Sequence, residues 1–279
     1  MLRHGWALVA SLGALAWATP ARAYCRTTTA DGGTDPSLSG VCLQGTPIAW
    51  PDGKVPYGVS SRGSKYATVA EATRVADLAF AQWNGVACIG GSPSVQAYDV
   101  GPLDFVPATG ESSDCSSSSD CDPTVRDVII FDDDDWPYEN DTVNVIALTT
   151  VTYGTRTGTI YEAHTEINSA DEVISLEEPP PDGTQDLQSV LTHEAGHFLG
   201  LAHATEQEAV MYAFYSPGRV KLTPDDQAGI CTIYPVKPTA SGCQVGPPGT
   251  SSFGMVAGLS LAVGALLRRR AGRNGRATR

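Results

Sequence analysis

Apolar side chains recur at Val69, Ala72, Val75, Ala76, Ala79, Phe80 and Trp83. Steps of three and four place them on one face of a helix, predicted over residues 69–84. Thr68 stands where an N-cap belongs, and Glu71 three places on completes a capping box. A second stripe, Leu187, Val190, Leu191, Ala195 and Phe198, predicts a helix over about 186–199, with Gly200 placed to stop it. A third, shorter helix opens at Thr223-Pro224-Asp225-Asp226 and ends at Pro235: a cap, a proline at the first helical position, and two acids in the first turn. Period-two or β-branched runs predict strands at 55–59, 127–131, 142–153 and 160–168. Residues 108–124 and 179–183 read as loops, and 27–40 as a Pro/Gly/Thr-rich leader. The expected architecture is α+β: a twisted mixed sheet with two long helices and a short C-terminal helix. No internal repeat is evident.

Two apolar runs fall outside this pattern. Met1-Leu2-Arg3-His4 precedes an apolar stretch from Trp6 to Ala18 and then Ala21-Arg22-Ala23. A basic start, a short apolar core and an A-x-A site define a secretory signal peptide, with cleavage expected after Ala23. At the other end, Gly242-Cys243 and a Pro/Gly/Ser spacer precede an apolar stretch, Phe253–Leu267, and then Arg268-Arg269-Arg270. As a helix that stretch reaches about 22 Å, short of the roughly 30 Å hydrocarbon core. The arrangement resembles the MYXO-CTERM sorting tail of myxobacterial surface proteins. The resemblance implies cutting near Cys243 and a lipid anchor at that cysteine; a permanent C-terminal anchor is the alternative. The chain is thus expected to divide into a signal peptide (1–23), a leader (24–42), a catalytic-type body (43–236), a linker with the sorting cysteine (237–252) and a hydrophobic, Arg-rich tail (253–279).

Charge follows the same division. The 279 residues hold 18 basic and 31 acidic side chains, a net of −13. Two arginines lie in 1–23 and six in 244–279, with no acid in either, so the middle carries 10 basic and all 31 acidic residues, net −21. Such a body repels polyanions, so nucleic acid is not an expected partner. Membrane association is expected only through the tail, and the chain is expected to be a monomer. Setting Cys243 aside leaves six cysteines, an even number that in an exported chain suggests disulfides. Many pairings are open; the simplest joins Cys25–Cys42 and Cys115–Cys121 locally and leaves Cys88–Cys231.

The chemistry is concentrated in His193-Glu194-Ala195-Gly196-His197-Phe198-Leu199-Gly200-Leu201-Ala202-His203, which holds three of the chain's five histidines. His193 and His197, four apart on a helix, project from one face. That spacing lets two imidazoles reach one Zn²⁺ at about 2.0–2.1 Å. His203 joins them only if the chain turns sharply, and Gly200 accepts the positive φ that such a turn demands. Three neutral histidines leave the ion doubly charged with a fourth position for water, whose pKa zinc lowers to about 7. Glu194 beside it is the candidate general base, then acid.

This run is the H-E-x-x-H-x-x-G-x-x-H signature of metzincins. Met211, in Ala209-Val210-Met211-Tyr212-Ala213-Phe214-Tyr215, resembles the methionine turn that floors the metal site in that clan. Met-Tyr-x-x-Tyr and Leu222-Thr223-Pro224-Asp225-Asp226 resemble the matrixins, the matrix metalloproteinase family, over about residues 50–236. The resemblance implies a zincin-like fold and a zinc endopeptidase, with His193, His197 and His203 as metal ligands and Glu194 as catalytic residue. It places Ala213 and Tyr215 in the S1′ pocket, although matrixins usually carry proline where Ala213 stands. It lays a protein or peptide substrate antiparallel to an edge strand near Asn144–Tyr153.

Two family features are missing. No P-R-C-G-x-P-D cysteine switch precedes the body. The His-Gly-Asp run of the structural zinc is missing after Phe131, leaving only His164 on the later strand, so one zinc is expected. Calcium is a further candidate, on Asp132–Asp135, Glu139, Asp141, Asp171 and Glu172; a solvated acidic loop is the alternative. Two other readings share the metal ligands: a zinc-stabilised adhesion or recognition module without turnover, and a peptidase dedicated to one partner.

Overall fold

The structure, a computed structural model, describes residues 24–30, 39–104, 127–138 and 145–237. The signal peptide, the Cys115–Cys121 pair, Glu139, Asp141 and the tail with Cys243 lie outside the described residues.

Nine strands and three helices follow one another in the described residues. They are β1 (Cys25–Arg26), β2 (Lys54–Val59), α1 (Val69–Asn84), β3 (Gln96–Asp99), β4 (Val128–Phe131), β5 (Ala147–Tyr153), β6 (Ile160–Ile167), β7 (Ile174–Ser175), β8 (Gln185–Asp186), α2 (Leu187–Phe198), β9 (Leu201–Ala202) and α3 (Pro224–Ile233). The main sheet has the order β3-β2-β4-β6-β5. Its strands run parallel except β5, which pairs antiparallel with β6 and forms the edge. The architecture is the expected α+β one.

The predicted capping box at α1 forms, and a second one forms at α3, where only a cap and first-turn acids were expected. Thr68 and Glu71 exchange side-chain and backbone bonds at the start of α1. At α3 the partner of Thr223 is Asp226, a shorter acid in the same role. Of the strand predicted from Thr142, residues 142–144 lie outside the described residues; β5 runs from Ala147, and the Ile146 carbonyl ahead of it accepts from the Asn168 N–H at 2.9 Å. Strand β3 was not anticipated: in Gln96-Ala97-Tyr98-Asp99 only Ala97 is buried, which leaves no period-two signal.

The core lies between the helices and one face of the sheet. Phe80 stacks on Tyr57 (ring centroids 4.1 Å apart) and meets Phe198 edge-on at 5.4 Å, so α1 joins β2 to α2 through aromatic rings. Trp83, fully buried, donates its indole N–H to the Thr192 carbonyl at 2.9 Å. That bond satisfies the one polar atom of a large apolar side chain and fixes α1 against α2. The last carbonyls of α2 are also satisfied: Phe198 accepts from the Trp50 indole at 2.8 Å, and Leu199 from the Tyr234 hydroxyl at 3.0 Å. A helix end buried this way needs such donors, because its final carbonyls have no partner inside the helix.

The leader is partly built into the body. Cys25 and Arg26 pair with Ala202 and Leu201, forming a two-stranded sheet with β9. Tyr24 donates its N–H to Asp225 Oδ1 at 2.9 Å. Cys25–Cys42 and Cys88–Cys231 are both bonded, as the pairing argument expected. Among the described residues no helix is long and apolar enough to cross a membrane.

Candidate metal centre

Helix α2 carries His193, Glu194 and His197, and Asp186 caps it by accepting from the Gln188 N–H at 3.0 Å. The chain then turns at Gly200, whose φ is +93°. Two constraints exclude any other residue there. L side chains resist that φ, and a Cβ would sit 2.8 Å from the Ile48 carbonyl oxygen. The turn delivers β9 and then His203 back to the helix.

The three rings converge. His197 Nε2 lies 3.1 Å from both His193 Nε2 and His203 Nε2. Nitrogens bound at about 2.0–2.1 Å to a tetrahedral zinc stand about 3.3 Å apart, so the trio matches that demand. Among the described residues no other group of three metal-ligating side chains converges in this way.

Proton placement decides what the trio can hold. His193 Nδ1 sits 2.7 Å from the Val210 carbonyl, and His197 Nδ1 2.9 Å from the Leu201 carbonyl. Carbonyls only accept, so each Nδ1 carries the proton and each neutral ring presents a bare lone pair at Nε2. Two lone pairs 3.1 Å apart repel unless a cation lies between them. Burial, followed by the neighbouring His197, holds His193 below the usual imidazole range and favours the neutral, ligating form.

The carbonyls that orient the rings are themselves held. Val210 and Met211 donate their N–H groups to the Asp226 carboxylate at 2.9 and 3.1 Å. Thus the first turn of α3 anchors the methionine turn, which in turn orients His193. Met211 is 1% exposed, and its sulfur packs against the α2 backbone at Gly196. A Cβ on Gly196 would lie 2.1 Å from its sulfur and 2.9 Å from Trp83, so only glycine fits that helix position. On the other side, the Leu201 carbonyl accepts from the Thr27 hydroxyl at 3.0 Å as well as from His197. Thr27 also donates its N–H to the Gly200 carbonyl at 3.0 Å. The N-terminal strand therefore braces the turn that carries the third histidine.

Glu194 is buried beside the trio, and its Oε2 accepts a 2.6 Å bond from the Thr149 hydroxyl on edge strand β5. Tyr215 accepts from the Asp186 N–H at 2.6 Å, and Gly218 donates to Asp186 Oδ2 at 3.2 Å, tying the segment after Met211 to the start of α2. His164 lies elsewhere, on β6 between Glu162 (3.7 Å) and Glu166 (3.8 Å). It is on the sheet face opposite the helices, since its neighbour Thr165 points toward Thr149. Two of the acids expected to offer calcium sites have other partners: Asp133 accepts from the Ser64 and Ser169 hydroxyls, and Glu172 from the Gln185 amide. Thr27, Thr149, Thr165, Asp186 and Asp226 escaped the sequence reading. Only the Asp226 capping position carried a signal, and that signal spoke of a helix rather than of a metal site.

The matrixin family model matches residues 49–235. Metalloendoproteinase 1-MMP of Arabidopsis thaliana is 49% identical over 55 residues, 19% of this chain and 15% of that protein. Metalloendoproteinase 2-MMP of the same plant is 43% identical over 68 residues, 24% and 18% of the two chains. Stromelysin-1 of Equus caballus is 46% identical over 55 residues, 18% and 12% of the two. The matched stretches span less than a fifth of those relatives' own length. The family match covers more than half of the chain, and the converging histidines lie inside it; the chain belongs to the matrixins, a family of zinc metalloendopeptidases.

Proposed function

We propose that this protein is a zinc-dependent endopeptidase in which His193, His197 and His203 hold one Zn²⁺ and Glu194 moves the proton. The observation that carries the reading is the pair of bare Nε2 lone pairs at 3.1 Å, a donor set that calls for a cation. Bound zinc supplies a Lewis acid that polarises the scissile carbonyl and acidifies water. Glu194 accepts the proton of the attacking water on the carboxylate oxygen not held by Thr149, and passes it to the leaving amine. Edge strand β5 offers backbone N–H and C=O groups on its unpaired side, so an extended peptide lies antiparallel to it. Ala213 and Tyr215 then face the first side chain beyond the cut. The proposal includes export by the N-terminal signal, attachment through the C-terminal tail, and a monomeric state. It also includes calcium on the Asp132–Asp135 run with Glu139, Asp141, Asp171 and Glu172; calorimetric titration of the full chain with calcium chloride tests this part, and no heat of binding removes it.

The test of the main reading is hydrolysis of casein or gelatin by the full chain. Activity should vanish with a chelator and return with zinc. Glu194→Ala should keep its zinc and lose rate by about 10²- to 10⁴-fold, the usual worth of a positioned general base. A zinc-loaded wild type that cuts no protein would favour the adhesion module. Cleavage of one partner and nothing else would favour the dedicated peptidase.

A further inference from the structure

Thr149 stands on β5 directly across from Thr165 on β6, and their hydroxyl oxygens are 2.8 Å apart. Thr149 also reaches Glu194 Oε2 at 2.6 Å. A hydroxyl has one proton to give. The short bond runs from the Thr149 hydroxyl to the carboxylate oxygen, so the Thr149 proton lies on the Glu194 bond. Thr165 is then the donor to Thr149. The order is fixed: Thr165 to Thr149 to Glu194. Thr165 is 1% exposed, so water does not compete for it.

We propose that Thr149, backed by Thr165, is a positioning residue that locks the rotation of the Glu194 carboxylate and divides the work of its two oxygens. Oε2 is held by Thr149, and Oε1 is left to carry the proton. A carboxylate on a glutamate turns freely about its last torsion, and a proton carrier that turns away from the reacting water is idle for that time. Bonds to charged groups are the short, strong ones, so this single contact holds the group against rotation. The proton that Glu194 picks up on Oε1 leaves the Thr149 bond intact, and the clamp therefore serves both the base and the acid half of the reaction. Nothing in the H-E-x-x-H spacing points to these residues, because they meet Glu194 across the sheet edge. The inference rests on the endopeptidase reading and adds to it.

Thr149→Val keeps the shape and removes the hydroxyl. In the full chain it should lower kcat about 10- to 100-fold, the worth of a hydrogen bond to a charged group, with KM little changed. Zinc content should stay at the wild-type level. Thr149→Ser should restore most of the rate. Thr165→Val, which removes only the backing donor, should lower kcat a few-fold in the same direction. Crystal structures supply a readout apart from turnover: one Glu194 carboxylate orientation in the wild type, more than one in Thr149→Val. Wild-type kcat in both valine variants, or a single unchanged carboxylate orientation in Thr149→Val, overturns the proposal. A Thr149→Val loss that serine fails to restore also overturns it, since the methyl group rather than the hydroxyl would then matter. A zinc-loaded wild type without hydrolysis sinks the endopeptidase reading instead; the carboxylate orientations still decide whether Thr149 holds Glu194.

Discussion

At the scale of single residues, two glycines make the site possible for different reasons. Gly200 takes a φ of +93° against the Ile48 carbonyl. Gly200→Ala should therefore cost about 1–3 kcal/mol through backbone strain. It should also weaken zinc binding, because the turn delivers His203; urea unfolding and a competitive chelator titration measure the two effects. Gly196 is needed for space. Gly196→Ala drives a methyl group into Met211 and Trp83, and overpacking of this kind costs about 1–3 kcal/mol. Urea denaturation with an unchanged midpoint would refute the close packing of methionine against the helix. The histidines, Glu194, Gly200 and Met211 were legible because they lie on one helix and the turn beyond it, where spacing translates directly into position. Thr149 and Thr165 were not. Their register of sixteen residues across a strand pair leaves no local pattern to read.

At the scale of elements, the three helices were legible because each carries an apolar stripe or a recognisable end: stripe and cap in α1, stripe and stopping glycine in α2, cap, proline and first-turn acids in α3. The short strands were not, since two residues cannot show a period. This matters for β1, which had read as part of a leader and instead braces the metal site. Thr27 bonds both Gly200 and Leu201, and the Cys25–Cys42 bridge fixes the strand just before it. Replacing both cysteines with serine should loosen β1 and lower zinc affinity about 10- to 100-fold, the usual cost of losing support behind a metal ligand. Unchanged affinity would reduce β1 to ordinary packing. Asp127 stands just before strand β4. Burial, aided by the charge of Glu162, pushes the Asp127 carboxyl up to about 7, although its bond from the Ala163 N–H pulls the other way. The folded chain thus keeps a proton that the unfolded chain releases near pH 4. The stability due to this group is full below about pH 4, declines as pH rises toward 7, and is lost above it. Asp127→Asn keeps an oxygen for Ala163 and removes the slope. Urea midpoints from pH 4 to pH 8 should fall less steeply in this variant than in the wild type.

At the scale of the whole molecule, the Cys88–Cys231 bond spans 143 residues and links the loop after α1 to helix α3. That helix anchors the methionine turn through Asp226. Opening the bond with paired serines should cost about 2–5 kcal/mol, the range for a native bridge. Guanidinium unfolding checks it. The overall class was legible from alternating runs and capped stripes, whereas the strand order β3-β2-β4-β6-β5 was not. Parallel neighbours are chosen by packing between distant segments, and nothing local in β2 or β4 names its partner.

The claim on which the rest depends is that three imidazoles hold one zinc ion. X-ray absorption at the zinc edge of the purified full chain tests it most directly. The account predicts one zinc per chain, with three imidazole nitrogens at about 2.0–2.1 Å and a light oxygen or nitrogen ligand in the fourth place. A chain that takes up no zinc, or a spectrum dominated by sulfur ligands at about 2.3 Å, would contradict it.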